Sequence, residues 1–438
     1  MFASTRGNLQ GGYAYQGPQR TPSQLAPNAN LYVFAPAEGA VRQLTFLLNQ
    51  EMMPNFMADG RVIFTAEKRA PEFFQLAGRR MNLDGGDYHP LIAQRGSVGF
   101  AQATEFVELP DRNLALVASN AGNRDGAGSI AIVNRSLGPD QNDRDPNDRY
   151  FLHAIRFPAP GALAGQAGAF RSPASLPSGW MVVSCDPDAT DLTQGNFDFD
   201  LCAFDPRTGA VEHLIGQAGR AEVEAVAVYA RPQHGVFQSR PDEANANTSV
   251  DVAQTDAEVH LADFPLLATL LFSNTRTGRP LDPRVEGVEI LESLPPPPEA
   301  TDFSALNASQ VTQDSFGPVF TNYESLGPIA LNDDGSTKFR VAGGHPILYA
   351  ATDGKGRVLP FEAEGGPFTG DMIQREEMQY YPGERSNQGF RRELFNGMCG
   401  GCHGSLTGYE LDVAVDIDVL TQASQTIAKP DPAVDLVR

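Results

Sequence analysis

Short apolar runs that follow turn residues recur through the first half of the chain. Asp59-Gly60 leads into Val62-Ile63-Phe64, Asp111-Arg112-Asn113 into Leu114-Ala115-Leu116-Val117, and Ser178-Gly179 into Trp180-Met181-Val182-Val183. A turn followed by a β-branched or aromatic run predicts a strand leaving a tight turn. Each run is followed by a second strand and a turn, over Leu76 to Gly86, Ser129 to Gly138 and Phe199 to Gly209, and Leu31 to Gly39 repeats that second half at the front. Units of roughly 50 to 65 residues with several strands predict propeller blades with long loops over residues 1–235. About three and a half blades are visible against the usual 4–8, and the chain opens inside one, so further blades are expected upstream of Met1.

The pattern changes after Pro232. Residues 236–258 are polar and predict a loop, whereas Leu266 to Ser273, Val285 to Leu291, Thr337 to Val341 and Pro346 to Ala351 predict strands. With the stiff tetraproline at 295–298 between them, they predict a small β-sandwich over 236–365. Residues 366–438 read as a third, α-rich region. Ser386 is positioned to cap a helix whose Phe390, Leu394 and Met398 share one face and lead to Cys399. Beyond it, the alternation of Leu411, Val413, Val415 and Ile417 with polar or small residues predicts a strand, and Val419 to Ala428 a last helix. The expected fold is mainly β: a partial propeller, a β-sandwich and a small α-rich tail.

Charge narrows the partners. Against 33 basic residues stand 54 acidic ones, a net of −21, which argues against nucleic acid and anionic membrane surfaces as partners. It suits a basic redox partner protein, a small-molecule substrate or simply a well-solvated surface. No apolar run reaches membrane-spanning length, and Met1 to Arg6 lacks the apolar core of an export signal.

Cys399-Gly400-Gly401-Cys402-His403 carries the most specific chemistry. Two thiols two residues apart with an imidazole directly after them form the attachment pattern for one covalent haem c, Cys399 and Cys402 as anchors and His403 as proximal iron ligand. A zinc half-site lacks a second Cys-x-x-Cys, a dithiol redox motif lacks its βαβ setting, and a local disulfide is the remaining rival. Such haem is attached outside the cytoplasm, so a periplasmic or cell-surface location is expected, with the export signal upstream of this sequence. No His or Met follows His403. A sixth ligand must then come from upstream, with His345, Met372, Met378 and Met398 as candidates and Tyr409 as an oxygen donor, or the iron is five-coordinate. His345 follows Gly343-Gly344 before a strand; an ordinary surface histidine is the competing reading.

Two stretches resemble a known family. Gly327-Pro328-Ile329-Ala330-Leu331, Asp334 to Val341, His345-Pro346-Ile347-Leu348-Tyr349, Asp353 to Leu359, Pro382-Gly383-Glu384 and the Cys-x-x-Cys-His run follow one another in the order found in the hydrazine synthase alpha-subunit family, and Gly278 to Pro298 is similar too. The resemblance spans about residues 260–403 and reaches the propeller in style only. It implies a TolB-type propeller, a β-domain and c-type haem; hydrazine chemistry is not implied.

Cys185 and Cys202 fall on consecutive strands of one blade, which leaves a cross-strand disulfide and two buried thiols as alternatives. The Asp-rich stretches 140–148 and 186–200 depart from the EF-hand pattern, so solvated loops are favoured over calcium sites. Three functions remain: an electron-transfer haem protein, a haem-dependent redox enzyme, and a propeller binding module without catalysis.

Overall fold

The computed structural model describes residues 1–6, 25, 27–92, 100–134, 155–230, 248–272, 278–297, 299–362, 369–389, 391–399, 405–407 and 422–427. The first half is a row of antiparallel sheets whose strands lie in sequence order. Phe2–Ser4, Asn30–Ala35 and Ala40–Gln43 form a three-stranded sheet, here blade A. Blade B comprises Glu51–Phe56, Val62–Ala70, Phe73–Met81 and His89–Ile92. Blade C comprises Gln102–Glu108, Leu114–Ser119, Ser129–Val133 and Ile155–Ala159, and blade D Ala169–Ser175, Met181–Asp186, Asp200–Phe204 and Val211–Ile215.

Near-continuous apolar runs in the second strands follow from burial on both faces. Leu114, Leu116 and Ala118 pack with Met57 and Ile63 of blade B. The alternate Ala115 and Val117 pack with Phe170, Met181 and Val183 of blade D. On the other side of blade B, Val62, Phe64 and Met81 meet Leu31 and Leu44 of blade A. A period-2 backbone with neighbours on both sides needs apolar residues at every position.

The second half is a two-sheet sandwich. One sheet runs in the order Thr248–Val250, Glu384–Gln388, Asp256–Leu261, Thr337–Ala342, Gln425–Thr426, and the other in the order Tyr323–Ala330, Gly287–Ser293, Ile347–Thr352. Ala257, Val259, Leu261, Phe339 and Val341 from the first sheet share a core with Val288, Ile290, Ile329, Ile347 and Tyr349 from the second.

Several local expectations are corrected. Of the strand expected over Leu266 to Ser273, Leu266 to Phe272 lies instead in helix α1, Phe264–Phe272, and Ser273 lies outside the described residues. Asp263 accepts the Leu266 amide at 2.9 Å, an N-cap bond, and Pro265 is tolerated in a first turn. A short apolar run does not separate strand from helix; the cap does. The polar stretch 236–258 contains two strands, because Asp256–Leu261 buries only every second side chain. Ser386 caps no helix: it lies in a strand paired with Thr248 and Val259. Helix α2 is shorter, Arg392–Met398, and has no side-chain cap at Arg391. The last helix expected over Val419 to Ala428 is replaced at Gln425–Thr426 by a strand parallel to Thr337–Ala342. The strand expected at 411–417 lies outside the described residues.

Blades and sandwich meet along a hydrogen-bonded seam. Gln379 accepts from the Phe46 amide at 2.6 Å and donates to the Leu44 carbonyl at 2.9 Å, while Glu377 accepts from the Leu48 amide at 2.9 Å. Lys68 and Arg79 both reach Glu376, at 2.8 and 2.6 Å. Arg69 binds Asp314 through two bonds of 2.8 Å, both side chains fully buried. Gly85 has φ +106°, and an added Cβ would stand 2.2 Å from the Tyr381 ring, so only glycine lets the blade B turn touch the sandwich here.

Candidate functional site

Helix α2 ends at Cys399, whose amide bonds the Phe395 carbonyl at 2.7 Å. The partly buried Cys399 packs against a buried cluster of Leu266 from helix α1, Leu281, Phe395 and Leu406, as does Leu270 of helix α1. Phe395 and Leu406 are buried, whereas Leu394, on the same helix, is 52 % exposed. Cys402, His403 and Phe390 lie outside the described residues, as do Tyr409 and the side chain of Met398.

Both flanks of the motif are fixed to this cluster. On the near side, Arg392 at the start of helix α2 donates to Asp263 through Nε at 2.6 Å and Nη2 at 2.8 Å. The same carboxylate caps helix α1, so one buried ion pair joins the two helices that frame Cys399. Burial pushes the Asp263 carboxyl up, opposed by the Arg392 guanidinium. On the far side, Asn396 grips Leu406 twice, donating to its carbonyl at 3.0 Å and accepting from its amide at 2.7 Å. Arg279 extends the hold: its amide donates to the Ser405 carbonyl at 3.0 Å and its carbonyl accepts from the Thr407 amide at 3.0 Å. Asn396 therefore ties a residue before the motif to one after it. If that tie sets the spacing of the two flanks, Asn396→Ala is expected to lower the yield of covalently modified protein severalfold while leaving far-UV circular dichroism unchanged.

His345 is not brought to this cluster. It sits between strands Thr337–Ala342 and Ile347–Thr352, with Nδ1 2.8 Å from Glu292. Thr337 faces Leu261, near Asp263 and Arg392, while Ala342 faces Asp256. The strand between them places His345 about 17 Å or more beyond the Arg392 end. Met372 is buried in the sandwich core, and Met378 packs against that core beside Ile347.

Cys185 and Cys202 are joined by a disulfide with Cα atoms 6.0 Å apart. Cys202 lies opposite Val183 and Cys185 opposite Asp200, so the bond runs diagonally across neighbouring strands. The Asp-rich loop of blade D spends its carboxylates on its own backbone: Asp186 accepts from Asp188 and Asp198, Asp191 from Thr193. Among the described residues no group of three His, Cys, Asp or Glu side chains is arranged to hold a metal ion. Residues 140–148 lie outside them.

Sequence reasoning missed a second concentration of buried charge, at the seam. Glu51 accepts from Asn30 and Thr45 at 2.9 Å and from Tyr88 at 3.3 Å. Burial nevertheless pushes its carboxyl up to about 8. Glu384, which accepts from the Asp87 and Tyr381 amides and from Thr248, is pushed up to about 7 by the same cause. Burial likewise raises Glu377. The sequence holds too many acidic residues for these three to stand out; only their placement between two packed layers distinguishes them.

No protein-family model and no curated protein sequence matches the chain. Among solved structures it is similar to Kuenenia stuttgartiensis hydrazine synthase, with a TM-score of 0.59 and 15% identity over 93% of this chain. A puromycin-hydrolysing peptidase from Mycobacterium tuberculosis matches 48% of this chain and 42% of its own at 13% identity and a TM-score of 0.26, too low to bear on the fold. The chain spans about half, 53%, of the hydrazine synthase chain. At this identity the likeness is one of fold: this protein shares the β-rich scaffold of hydrazine synthase through a distant structural relationship.

Proposed function

We propose that the chain is an extracytoplasmic c-type haem protein that transfers electrons, with one haem held by Cys399, Cys402 and His403. The observation that carries this reading is the Cys-x-x-Cys-His run at the end of a helix whose final cysteine packs on an apolar cluster. That surroundings fit the group. Leu266, Leu270, Leu281, Phe395 and Leu406 offer an apolar wall for a porphyrin face, and the partly exposed Cys399 thiol stands at its edge. Each cysteine would add its S–H across one vinyl group, and His403 would give its imidazole to the iron. When bound, the haem supplies a one-electron couple. The chain's own residues set its environment: Arg392 and Asp263 hold the wall together, and Asn396 fixes the exit from the motif. The Cys185–Cys202 disulfide supports an oxidising compartment.

A second reading, a haem-dependent redox enzyme, is favoured by the position of the upstream ligand candidates. His345 is held by Glu292 at the far end of its strand, and Met372 is committed to the sandwich core. An iron with an open sixth position binds small ligands rather than only passing electrons. The hydrazine synthase scaffold is in keeping with such chemistry.

Intact-mass measurement of protein made with a c-type haem maturation system tests the first statement. The expected gain is one haem per chain, lost in Cys399→Ala with Cys402→Ala. Carbon monoxide separates the two functions: a shifted Soret band on addition selects the enzyme, an unchanged six-coordinate spectrum the electron carrier.

A further inference from the structure

Arg279 holds the far flank of the motif through its backbone, and its side chain is a buried cation. It is 3 % exposed, in a stretch where exposure alternates: Gly278 and Pro280 face solvent, while Arg279 and Leu281 are buried. Leu281 belongs to the apolar cluster on which Cys399 packs. Alternate residues of an extended stretch share a face, so the Arg279 side chain is turned the same way as that of Leu281.

The pairing with Leu406 gives the same direction. Arg279 and Leu406 form a parallel bridge, closed by the bonds of Arg279 to Ser405 and Thr407. Residues paired in this way project to one face, and Leu406 is a buried member of the same cluster. The Gly278 amide adds a bond of 2.8 Å to the Ser405 hydroxyl. The backbone that carries the cation is thus fixed to the residues that follow the Cys-x-x-Cys-His run.

A guanidinium keeps its charge in a protein and is costly to bury unless carboxylate or carbonyl oxygens surround it. On the near flank of the motif Arg392 is met by Asp263, and that pair serves to join two helices. Haem brings two further carboxylates, its propionates, which leave the ring on the edge away from the thioethers. Arg279 is likewise set off from the thiol. It lies two residues, at most about 7 Å of chain, from Leu281 of the wall that Cys399 packs on.

We propose that the Arg279 guanidinium binds a haem propionate and so raises the potential of the iron. The inference rests on the haem reading and adds to it a residue that tunes the couple. A planar fork of N–H donors matches a carboxylate through two parallel bonds, which a lysine cannot copy. Ferric haem carries one more positive charge than ferrous haem, so a cation at the edge of the ring disfavours the oxidised form. It also offsets the propionate charge, which acts in the opposite sense.

Potentiometric titration of the haem-loaded full chain, read with resonance Raman spectra, tests this. Arg279→Met should load one haem per chain and lower the midpoint. The expected change is about tenfold in the ratio of reduced to oxidised haem at a fixed potential, or 59 mV for one electron. The propionate bending band should move with it. Arg279→Lys should recover most of the potential but not the parent band, because it restores the charge without the fork. If Arg279→Met does not mature, Arg279→Lys decides by that band. A loaded Arg279→Met protein with the parent's potential, or either loaded variant with the parent's band, overturns the contact and leaves the haem reading standing. A parent chain that takes up no covalent haem overturns both.

Discussion

Asp263→Ala is expected to lower the unfolding free energy by about 3–5 kcal/mol, the usual cost of breaking a buried ion pair from one side. Both side chains are nearly inaccessible, at 9 % for Arg392 and 1 % for Asp263. Removing the carboxylate leaves a guanidinium without its two short bonds in a site that water does not reach. It also removes the N-cap of helix α1, worth about 1 kcal/mol. The pair itself need not be net stabilising, because its desolvation cost is large. Asp263→Asn combined with Arg392→Met keeps a capping side chain and removes the buried charge, so it should recover most of the loss. Denaturant unfolding of the parent, single and double variants measures this. A double variant as unstable as Asp263→Ala would show that the guanidinium, rather than its stranded charge, holds the two helices.

The second large effect is on pH. Glu51 has a folded value of about 8 and Glu384 of about 7, both above the unfolded value of about 4.3. A carboxyl with a raised folded value binds its proton more tightly folded than unfolded. Its contribution is complete below the unfolded value and is lost as pH rises through the folded one, at about 1.4 kcal/mol per pH unit and group. Groups shifted the other way do not mask this. Asp353, lowered to about 2, acts only below pH 4, and His89, lowered to about 4, only below about 6.5. From pH 6.5 to 8 the raised carboxyls dominate, and stability should fall by about 2–3 kcal/mol. The loss should begin at the seam, where Glu384 joins the Asp87 amide of blade B to Thr248 and Tyr381 of the sandwich, and inside the blades, where Glu51 joins Asn30, Thr45 and Tyr88. A melting-temperature profile that is flat or rising over this window contradicts the assignment. Glu51→Gln should remove the part of the slope between pH 7 and 8.

How much of this was legible in the chain follows from the range of each signal. The blade strands could be read because turn residues and apolar runs are local, and burial on both faces makes them dense. Helix α1 could not be separated from a strand by its apolar run; its signal was the single Asp263 before Pro265. The strand Asp256–Leu261 was hidden because only Ala257, Val259 and Leu261 are buried, and its polar alternates read as loop. Cysteines on consecutive strands suggested their own bond. The seam carboxylates and the Asn396 grip on Leu406 depend on residues brought together by the tertiary fold, and no local pattern encodes them. His345, a histidine on a glycine-rich turn, stands with Nδ1 2.8 Å from Glu292, a partner 53 residues away that no local pattern encodes.

The haem assignment stands or falls on one spectrum. The pyridine haemochrome of protein matured for c-type haem should show the α-band of a porphyrin with both vinyl groups saturated, at one haem per chain, retained after acid–acetone extraction. Cys399→Ala with Cys402→Ala should leave no extraction-resistant colour. A parent chain without covalent haem under those conditions, or a double variant that keeps it, would contradict attachment at Cys399 and Cys402.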